Sequence, residues 1–540
     1  MAQETFVLEL PLKVEKWQAD ILDKRYEYLR QIYNYVQKKL IRQYKYFEQM
    51  NEFRQCTTYR EKREFFRSHP FYYNEVVGRN GEPFAIKFPY SMSESNGAKL
   101  DGFNGYISKL GKLPAGANKT YADLGINSFM LERLASNMWS AWNKFLYDRD
   151  TKRVAFKKYG ELNTFGSRKK RSRKKNNISF IGMKIHLDTM ELVVKTNGRT
   201  GRFAEYITLP IGAGKPLTEY ERYALEGGFD SIKILNVVRR QIRGNNKYYL
   251  QMTIEGEKPQ KGRTLGEGCV GIDLGPSTIA VSSLQKVSID KLANKCDDIQ
   301  RDLNRVSRKM DRSRRANNPQ NFNEDGTIKP ISRKNGERRA WNDSKRYKKL
   351  REERRELLRK QAAIRKVQHI ETANALLPLG DTFIVENNPI SSWTRKSKET
   401  KINKKGKIQS KKRFGKSVAN HAPSMFTTIL KNKVESLGGE FRKVEVKNAA
   451  SRFDFTNGEF TEHGLGERVI TLSNGDMHQR DLLAAFNLQH LNADGDTTKD
   501  YDVATMQKDY PTFCRLEREE MDLYLQGKKK NERTTIGAFK

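Results

Sequence analysis

The sequence predicts a multidomain α+β protein, and three observations lead to this fold class. The chain has 540 residues, enough for roughly three to five domains of typical size. Helical and strand periodicities occupy separate stretches of it. Its 102 Lys and Arg residues outnumber 65 Asp and Glu residues, which gives a formal net charge of +37. Such a surplus indicates a polyanionic partner, nucleic acid first and an anionic membrane surface second.

Membrane embedding and secretion are both disfavoured. No run of 18 or more apolar residues occurs, and residues 1–12 lack the basic start and long apolar core of a signal peptide. The four cysteines are scattered without a CxxC pair, so neither a disulfide framework nor a thiolate zinc site is indicated. We therefore expect a protein of the cytoplasm or the nucleoid, without a membrane partner.

The first 147 residues predict a short strand followed by a helical domain. Residues 6–10 have strand character and end at Pro11. Apolar residues then recur at helical spacing from Trp17 to Leu40, and a second helix is expected near residues 127–147. We assign residues 14–147 to a helical domain inserted after the first strand.

Residues 148–262 predict a β-rich domain. Residues 178–185, 191–194 and 248–254 carry β-branched and aromatic side chains between turn residues. Residues 1–13 are expected to join this domain, because a helical insertion returns the chain to its first strand. The domain also contains a basic run, residues 168–175. Such a run usually forms a solvated loop, but in so basic a chain it is equally suited to contact phosphates. Its candidate nucleic-acid-binding residues are Arg168, Lys169, Lys170, Arg171 and Arg173.

From residue 263 onward, strands and basic helices alternate. Residues 269–275 predict a buried strand that carries Asp273 at its end, with a hairpin partner at residues 279–282. Two very basic helices are expected at about 296–316 and 345–370, each with an apolar seam. A polar loop, residues 312–339, lies between these seams and supplies the candidate phosphate contacts Arg312, Arg314 and Arg315.

The second half of this region repeats the pattern. A strand at residues 382–385 ends immediately before Glu386, and a lysine-rich loop follows. Further elements are expected as a helix at 424–437, strands at 441–446 and 469–472, and a helix that begins near residue 478 and carries Asp481. The last residues, 493–540, are predicted to be a basic tail.

Asp273, Glu386 and Asp481 are candidate metal ligands because each lies at the edge of an apolar element. Phosphodiester hydrolysis uses two divalent ions about 3.5–4 Å apart, and Mg²⁺ prefers hard carboxylate oxygens. Each acid also has an ordinary explanation, since an Asp after a strand is often a turn residue and Asp481 suits a helix N-cap. The set of three in this order favours the metal site.

The segments 271–275, 384–387 and 479–488 resemble the three motifs of the split RuvC nuclease domain in TnpB nucleases and type V CRISPR effectors. The resemblance covers about residues 265–490. It implies an RNase H-like sheet with flanking helices. It also implies that Asp273, Glu386 and Asp481 are the catalytic residues and bind two Mg²⁺ ions, with Mn²⁺ as a substitute.

The resemblance also implies a domain organisation. Residues 14–147 become a helical recognition domain, and residues 1–13 with 148–262 become a small β-barrel-like wedge domain. The RuvC domain spans 263–446 and 476–492, interrupted by the basic helices. Residues 447–475 form a target-strand-loading subdomain.

The implied function is RNA-guided cleavage of double-stranded DNA in a prokaryotic cell. The guide is a CRISPR RNA, with or without a second RNA, or a transposon-derived RNA. Base pairing reads the target while the protein reads a short adjacent motif. Arg468 is a further candidate for contact with substrate phosphate, although a lone arginine in so basic a chain also suits an ordinary surface position.

The sequence departs from many relatives in one respect. Residues 450–480 contain no cysteine, and His463 with His478 cannot complete a tetrahedral zinc site. We expect no structural zinc, and we expect the subdomain to be held by the strand at 469–472 and by Phe453, Phe455 and Phe460.

Three alternative functions stay open. Residues 271–278 also resemble the first phosphate loop of actin- and Hsp70-like ATPases, but no convincing second DxG loop or adenosine motif follows. A guide-dependent DNA-binding protein without cleavage would share the same sequence features. A transposase would use the same metal chemistry on a related fold.

Overall fold

The computed structural model divides into two compact units, residues 1–261 and residues 262–540, which are described separately. None of the described helices combines the length and apolar character that a bilayer span requires. The structure describes residues 5–69, 71–77, 83–86, 125–126, 128–147, 151, 153–167, 170–174, 177–197, 201–212, 216–228, 232–257, 262–330, 339–387, 390–395, 414–444, 450–464, 467–492 and 500–527.

The N-terminal unit contains both sheets and helices. Its strands are β1 (Thr5–Leu12), β2 (Phe71–Val77), β3 (Pro83–Ile86), β4 (Thr164–Ser167), β5 (Lys170–Lys174), β6 (Asn177–Phe180), β7 (Met183–His186), β8 (Glu191–Lys195), β9 (Tyr206–Pro210), β10 (Ile232–Ile242) and β11 (Asn245–Glu255). Its helices are α1 (Lys16–Phe47), α2 (Asn51–Gln55), α3 (Tyr59–Ser68), α4 (Ser128–Tyr147) and α5 (Glu219–Gly228).

The first strand joins the later β-rich segment, as the sequence predicted. β1 pairs antiparallel with β11 along its whole length, in a sheet of order β1-β11-β10-β4. Alternate β1 residues are buried, which is the period expected of a half-buried strand. The predicted helices at residues 17–40 and 127–147 are confirmed as α1 and α4. The Tyr26 hydroxyl of α1 donates a 3.0 Å hydrogen bond to the Val237 carbonyl of β10.

Two expectations for this unit need correction. The second sheet has the open order β5-β6-β7-β8-β9, and no closed barrel occurs among the strands that the structure describes. The basic run expected as a loop includes a strand, β5, which holds Lys170, Arg171 and Arg173. Arg168 and Lys169 lie outside the described residues. Phosphate contact by this run stays a prediction.

The C-terminal unit is built around a mixed sheet. Its strands are β12 (Cys269–Leu274), β13 (Thr278–Ser282), β14 (Val287–Lys291), β15 (Thr382–Glu386), β16 (Glu440–Val444), β17 (Phe453–Asp454), β18 (Glu459–Phe460), β19 (Val469–Thr471) and β20 (Met477–Gln479). Its helices are α6 (Cys296–Asn317), α7 (Lys345–Leu376), α8 (Ile390–Thr394), α9 (Gly415–His421), α10 (Pro423–Ser436), α11 (Arg480–Gln489) and α12 (Val503–Leu525).

The central sheet has the order β14-β13-β12-β15-β16, in which β12, β15 and β16 are parallel and the hairpin strands β13 and β14 are antiparallel. Helices cover both faces. One face packs against α7 and α10 through a cluster that includes Val270, Ile272, Phe383, Leu376 and Leu430. The other packs against α11 and α12 through a cluster that includes Ala280, Ile289, Phe486 and Phe513.

The two basic helices are confirmed as α6 and α7. The predicted tail is corrected in part, because residues 503–525 form the long helix α12. This helix carries five Asp or Glu residues against three Lys or Arg residues, so it is not basic. It buries Met506, Phe513 and Tyr524 in the core of the unit.

Candidate active site

The sheet register brings Asp273 and Glu386 together. β12 and β15 run parallel, with Val270 opposite Phe383 and Ile272 opposite Val385. Asp273 and Glu386 come next along their strands, so they lie side by side on neighbouring strands about 4.8 Å apart. Because side chains alternate across a sheet, both point away from the buried Ile272 and Val385 and toward the α11 face.

A glycine brings the third carboxylate to the same face. A Cβ atom added at Gly271 would lie 1.9 Å from the Ala485 carbonyl oxygen and 2.5 Å from the Gln489 nitrogen. Only glycine therefore permits α11 to cross β12 this closely. The Ser282 hydroxyl also donates a 2.7 Å hydrogen bond to Gln489 Oε1, which fixes the far end of the helix.

Asp481 lies in the first turn of α11 without capping it. The N-cap is Gln479, whose side-chain oxygen accepts a 2.8 Å hydrogen bond from the Leu482 nitrogen. The alternative that Asp481 is itself the N-cap is therefore wrong. Freed from capping, the Asp481 carboxylate lines the same cavity as Asp273 and Glu386.

The three acids line a cavity of about 410 Å³. Desolvation, followed by the charges of Asp481 and Glu386, raises the pKa of Asp273 well above the usual aspartate value, against the opposing charge of Arg480. A raised aspartate pKa shows that the surroundings disfavour the ionised form. Carboxylates that repel one another in a cleft are typical of functional sites.

Two arginines compensate part of this negative charge. Arg480 donates hydrogen bonds of 3.1 and 2.9 Å from Nε and Nη2 to Asp481 Oδ1. Arg468 Nη1 lies 3.6 Å from Asp481 Oδ2. Both arginines line the cavity. The structure thus places Arg468 beside a predicted metal ligand, whereas the sequence offered Arg480 no separate signal.

The donor chemistry of the cavity fits a hard divalent cation, although the site is not preassembled. In the part of the chain that the structure describes, no three His, Cys, Asp or Glu side chains stand close enough to hold one ion. Asp481 is instead engaged by Arg480 and Arg468. All three candidate donors are nevertheless carboxylates, the ligands that Mg²⁺ prefers, and a cation would offset their repulsion. Magnesium binding stays a prediction, as does the expected lack of zinc.

The C-terminal helix α12 anchors the start of α11. Glu517 Oε1 accepts a 2.8 Å hydrogen bond from the Gln479 nitrogen, and Glu517 Oε2 lies 2.6 Å from His478 Nδ1. His478 Nε2 lies 2.7 Å from the Tyr510 hydroxyl. Both Glu517 and His478 are buried. Sequence reasoning missed this anchor, because Glu517 is one of several charged residues in a polar stretch and nothing in the sequence sets it apart.

A second carboxylate braces the subdomain beside the cavity. Asp454 Oδ1 accepts hydrogen bonds from the Thr456 nitrogen and hydroxyl at 2.9 and 2.5 Å. Its Oδ2 accepts from the Ser473 nitrogen and hydroxyl at 2.8 and 2.7 Å. Asp454 thus joins the turn after β17 to the turn between β19 and β20. As expected, Phe453 and Phe455 pack into the core, with Phe460 against it.

The arginines expected in the polar loop, residues 312–339, lie instead in the last turns of α6, which continues to Asn317. The Arg314 guanidinium lies over the rings of Trp341 and Tyr347 at 4.5 and 4.6 Å. Arg315 donates a 2.6 Å hydrogen bond to the Gly326 carbonyl. Arg312 is exposed. Arg314 and Arg315 therefore hold the connecting loop against the helices, and nucleic-acid contact by all three stays a prediction.

Comparison with known proteins gives distant matches. No family model matches the chain, and no curated protein matches it. The Cas12f1–sgRNA–target DNA complex is 15% identical with a TM-score of 0.39, and the match covers 90% of this chain and 99% of that one. A Cas12f ternary complex is 13% identical at a TM-score of 0.26, covering 91% and 100%. CasPhi-2 (Cas12j) bound to crRNA and phosphorothioate-DNA is 10% identical with a TM-score of 0.24, and the match covers 58% of this chain and 63% of that one.

These matched structures are type V CRISPR effectors, the group that the sequence resemblance names. TM-scores below 0.5 do not establish a shared fold. What can be said of function therefore rests on the residues of the site.

Proposed function

We propose that this chain is an RNA-guided DNA endonuclease that cleaves its target at one carboxylate site formed by Asp273, Glu386 and Asp481. The observation that carries the proposal is that one cavity brings these three acids together. Burial, and then the charges of Asp481 and Glu386, raise the pKa of Asp273 there. A fold retains such repulsion where function requires it, because neutral side chains would be more stable there.

The charge of the chain supports a nucleic-acid substrate. The net charge of +37 suits a protein that neutralises many phosphates, and affinity for nucleic acid then depends steeply on salt. Two of the matched structures are complexes with nucleic acids, one with an sgRNA and target DNA and the other with crRNA and phosphorothioate-DNA. We extend those partners to this chain as part of the proposal.

The residues of the cavity have distinct roles in the proposed reaction. Asp273, Glu386 and Asp481 would hold two divalent cations, which activate a water nucleophile and stabilise the leaving oxygen when bound. Arg468 and Arg480 would hold the scissile phosphate, since guanidinium groups match the geometry of phosphate oxygens. Substrate binding would then draw the arginines away from Asp481 and free its carboxylate.

The test uses the full chain with the RNA that copurifies with it. That RNA is sequenced, and a DNA duplex matching its guide portion is offered with Mg²⁺. We expect Asp273→Ala to abolish cleavage while RNA and DNA binding persist. Asp381→Ala is the matched control, because Asp381 is exposed and precedes the neighbouring strand β15. A wild-type chain that binds guide and target but never cuts would establish binding without cleavage and refute the nuclease.

A further inference from the structure

The loop formed by residues 153–161, here called the aromatic loop, exposes two rings to solvent. Phe156 is 48% exposed, and Tyr159 is 84% exposed, the highest value for a large apolar side chain among the described residues. Single exposed aromatics are common on protein surfaces. Two rings three residues apart, on a segment outside any helix or strand, call for a separate explanation.

The backbone of the aromatic loop is held firmly by α1. The Lys157 carbonyl accepts hydrogen bonds from Arg30 Nη1 at 3.0 Å and Asn34 Nδ2 at 2.8 Å. The Lys157 nitrogen donates to Asn34 Oδ1 at 2.8 Å. Gln37 Nε2 donates to the Val154 carbonyl at 3.1 Å. These contacts come from three successive turns of one helix, so the loop is fixed while its rings point outward.

The anchor is itself built into the core. Gln37 is fully buried, and its Oε1 accepts a 2.8 Å hydrogen bond from the Trp142 indole nitrogen of α4. The far end of the loop closes as a turn, in which the Glu161 nitrogen donates to the Lys158 carbonyl at 3.0 Å. A loop prepared in this way loses little conformational entropy when it binds a ligand.

The aromatic loop is rich in basic residues. Arg153 and Lys158 are exposed, and the Lys157 ammonium lies over the Tyr33 ring at 5.8 Å. Glu161 is the one acidic residue between positions 153 and 161. Its carboxylate accepts a 2.9 Å hydrogen bond from the Lys158 nitrogen within the turn. A ligand with flat aromatic groups and negative charge therefore fits this loop.

We propose that the aromatic loop binds unpaired nucleotides of a single-stranded nucleic acid. Phe156 and Tyr159 stack on bases while Arg153 and Lys158 contact the flanking phosphates. Base–aromatic stacking of this kind is tolerant of sequence. The aromatic loop shares no residue with the carboxylate cavity, and its proposed role needs no cleavage. It rests on the proposed function only in requiring a nucleic-acid partner.

The experiment measures the affinity of the full chain, freed of copurified RNA, for a fluorescein-labelled single-stranded RNA of mixed sequence and for the same sequence as DNA. Tyr159→Ala should weaken binding about 5- to 150-fold, the range for loss of one stacked base. Phe156→Ala should act in the same direction. Tyr159→Phe keeps the ring and should bind like the wild type.

Tyr206→Ala is the matched control, because Tyr206 is 57% exposed on β9 of the same unit. It should change affinity less than twofold. Equal losses of affinity for RNA and DNA would mean that the loop binds single strands of both kinds. A loss of affinity limited to RNA would mean that it binds the guide. Unchanged affinity of a Phe156→Ala, Tyr159→Ala double variant overturns this inference alone. A wild type that binds neither strand overturns the proposed function as well.

Discussion

Asp273 and Asp454 lie in the same unit, yet their surroundings are opposite. Asp454 is 6% exposed and receives four hydrogen bonds from Thr456 and Ser473. Burial alone would raise the pKa of Asp454, but these hydrogen bonds together lower it. Burial also raises the pKa of Asp273, and there the charges of Asp481 and Glu386 raise it further.

The contrast separates a structural carboxylate from a functional one. Asp454 is stable in its charged form because every oxygen has donors, so the fold gains from it. The cluster of Asp273, Glu386 and Asp481 destabilises the folded chain. A bound cation or a substrate group must therefore offset the repulsion among these carboxylates. Removing each carboxylate should therefore change different properties of the molecule.

The largest expected effect is on cleavage, through Glu386→Gln. Removing a residue that hydrogen-bonds a metal ligand lowers activity roughly 10–100-fold. Removing a proposed ligand itself should therefore lower the cleavage rate by more than about 100-fold. Stability should not fall, because one charge that repels Asp273 is gone. Single-turnover cleavage and urea unfolding measure the two properties. Glu440→Gln, at the exposed first residue of the neighbouring strand β16, is the control. It should leave cleavage unchanged and, since it loses only a surface pair with Arg442, lower stability by about 1 kcal/mol at most.

The next effect is on stability, through Asp454→Ala. The change leaves the donors of Thr456 and Ser473 without an acceptor, and an unsatisfied buried polar group costs about 1–3 kcal/mol. We expect a loss of roughly 2–4 kcal/mol in the free energy of unfolding, with cleavage by the remaining folded protein unchanged. Glu459→Gln, exposed in the same hairpin, is the control. A stable variant that has lost cleavage would place Asp454 in the active site.

Glu517→Gln should have a smaller effect on cleavage, because Glu517 is a structural residue that positions the proposed ligand Asp481. Glutamine cannot accept from both the Gln479 nitrogen and the His478 ring, so the start of α11 loosens and Asp481 is held less firmly. The cleavage rate should fall about tenfold, the lower bound for losing a residue that holds a metal ligand in place, and excess Mg²⁺ should partly restore it. Guide-RNA affinity should not change.

Glu519→Gln provides the control for the anchor. Glu519 lies two residues further along α12 and is exposed, with Arg515 Nη1 2.6 Å from its Oε1. We expect this variant to behave as the wild type. Equal losses in both variants would mean that α12 contributes only general stability.

Much of this arrangement could be predicted from the sequence, because local patterns encode it. The strands before Asp273 and Glu386 are apolar runs, and α6 and α7 show helical seams. The closeness of the three acids follows from their order and from parallel pairing. The helix α12 was missed because it buries charged residues, Glu517 and Glu520, and contains Pro511, which both oppose a core-facing helix.

Other features depend on contacts between distant residues. Asp454 and Ser473 are 19 positions apart, and nothing in either local sequence indicates that one accepts from the other. The same holds for Glu517 and Gln479, 38 positions apart. Polar residues that satisfy each other across a fold have no periodicity, so only the tertiary structure reveals them.

The smallest effect is the pH dependence of stability, measured without divalent ions. A carboxylate with a lowered folded pKa, such as Asp454, contributes stability that is present above the unfolded pKa near 3.9 and is lost as pH falls through the folded value. The stability difference between the wild type and Asp454→Asn should therefore shrink on acidification. The contribution of Asp273 to the pH dependence of stability has the opposite sign, because a raised pKa makes folding less favourable as pH rises. The advantage of Glu386→Gln over the wild type should accordingly grow with pH, and parallel pH profiles for the two variants would contradict the distinction between the two carboxylates.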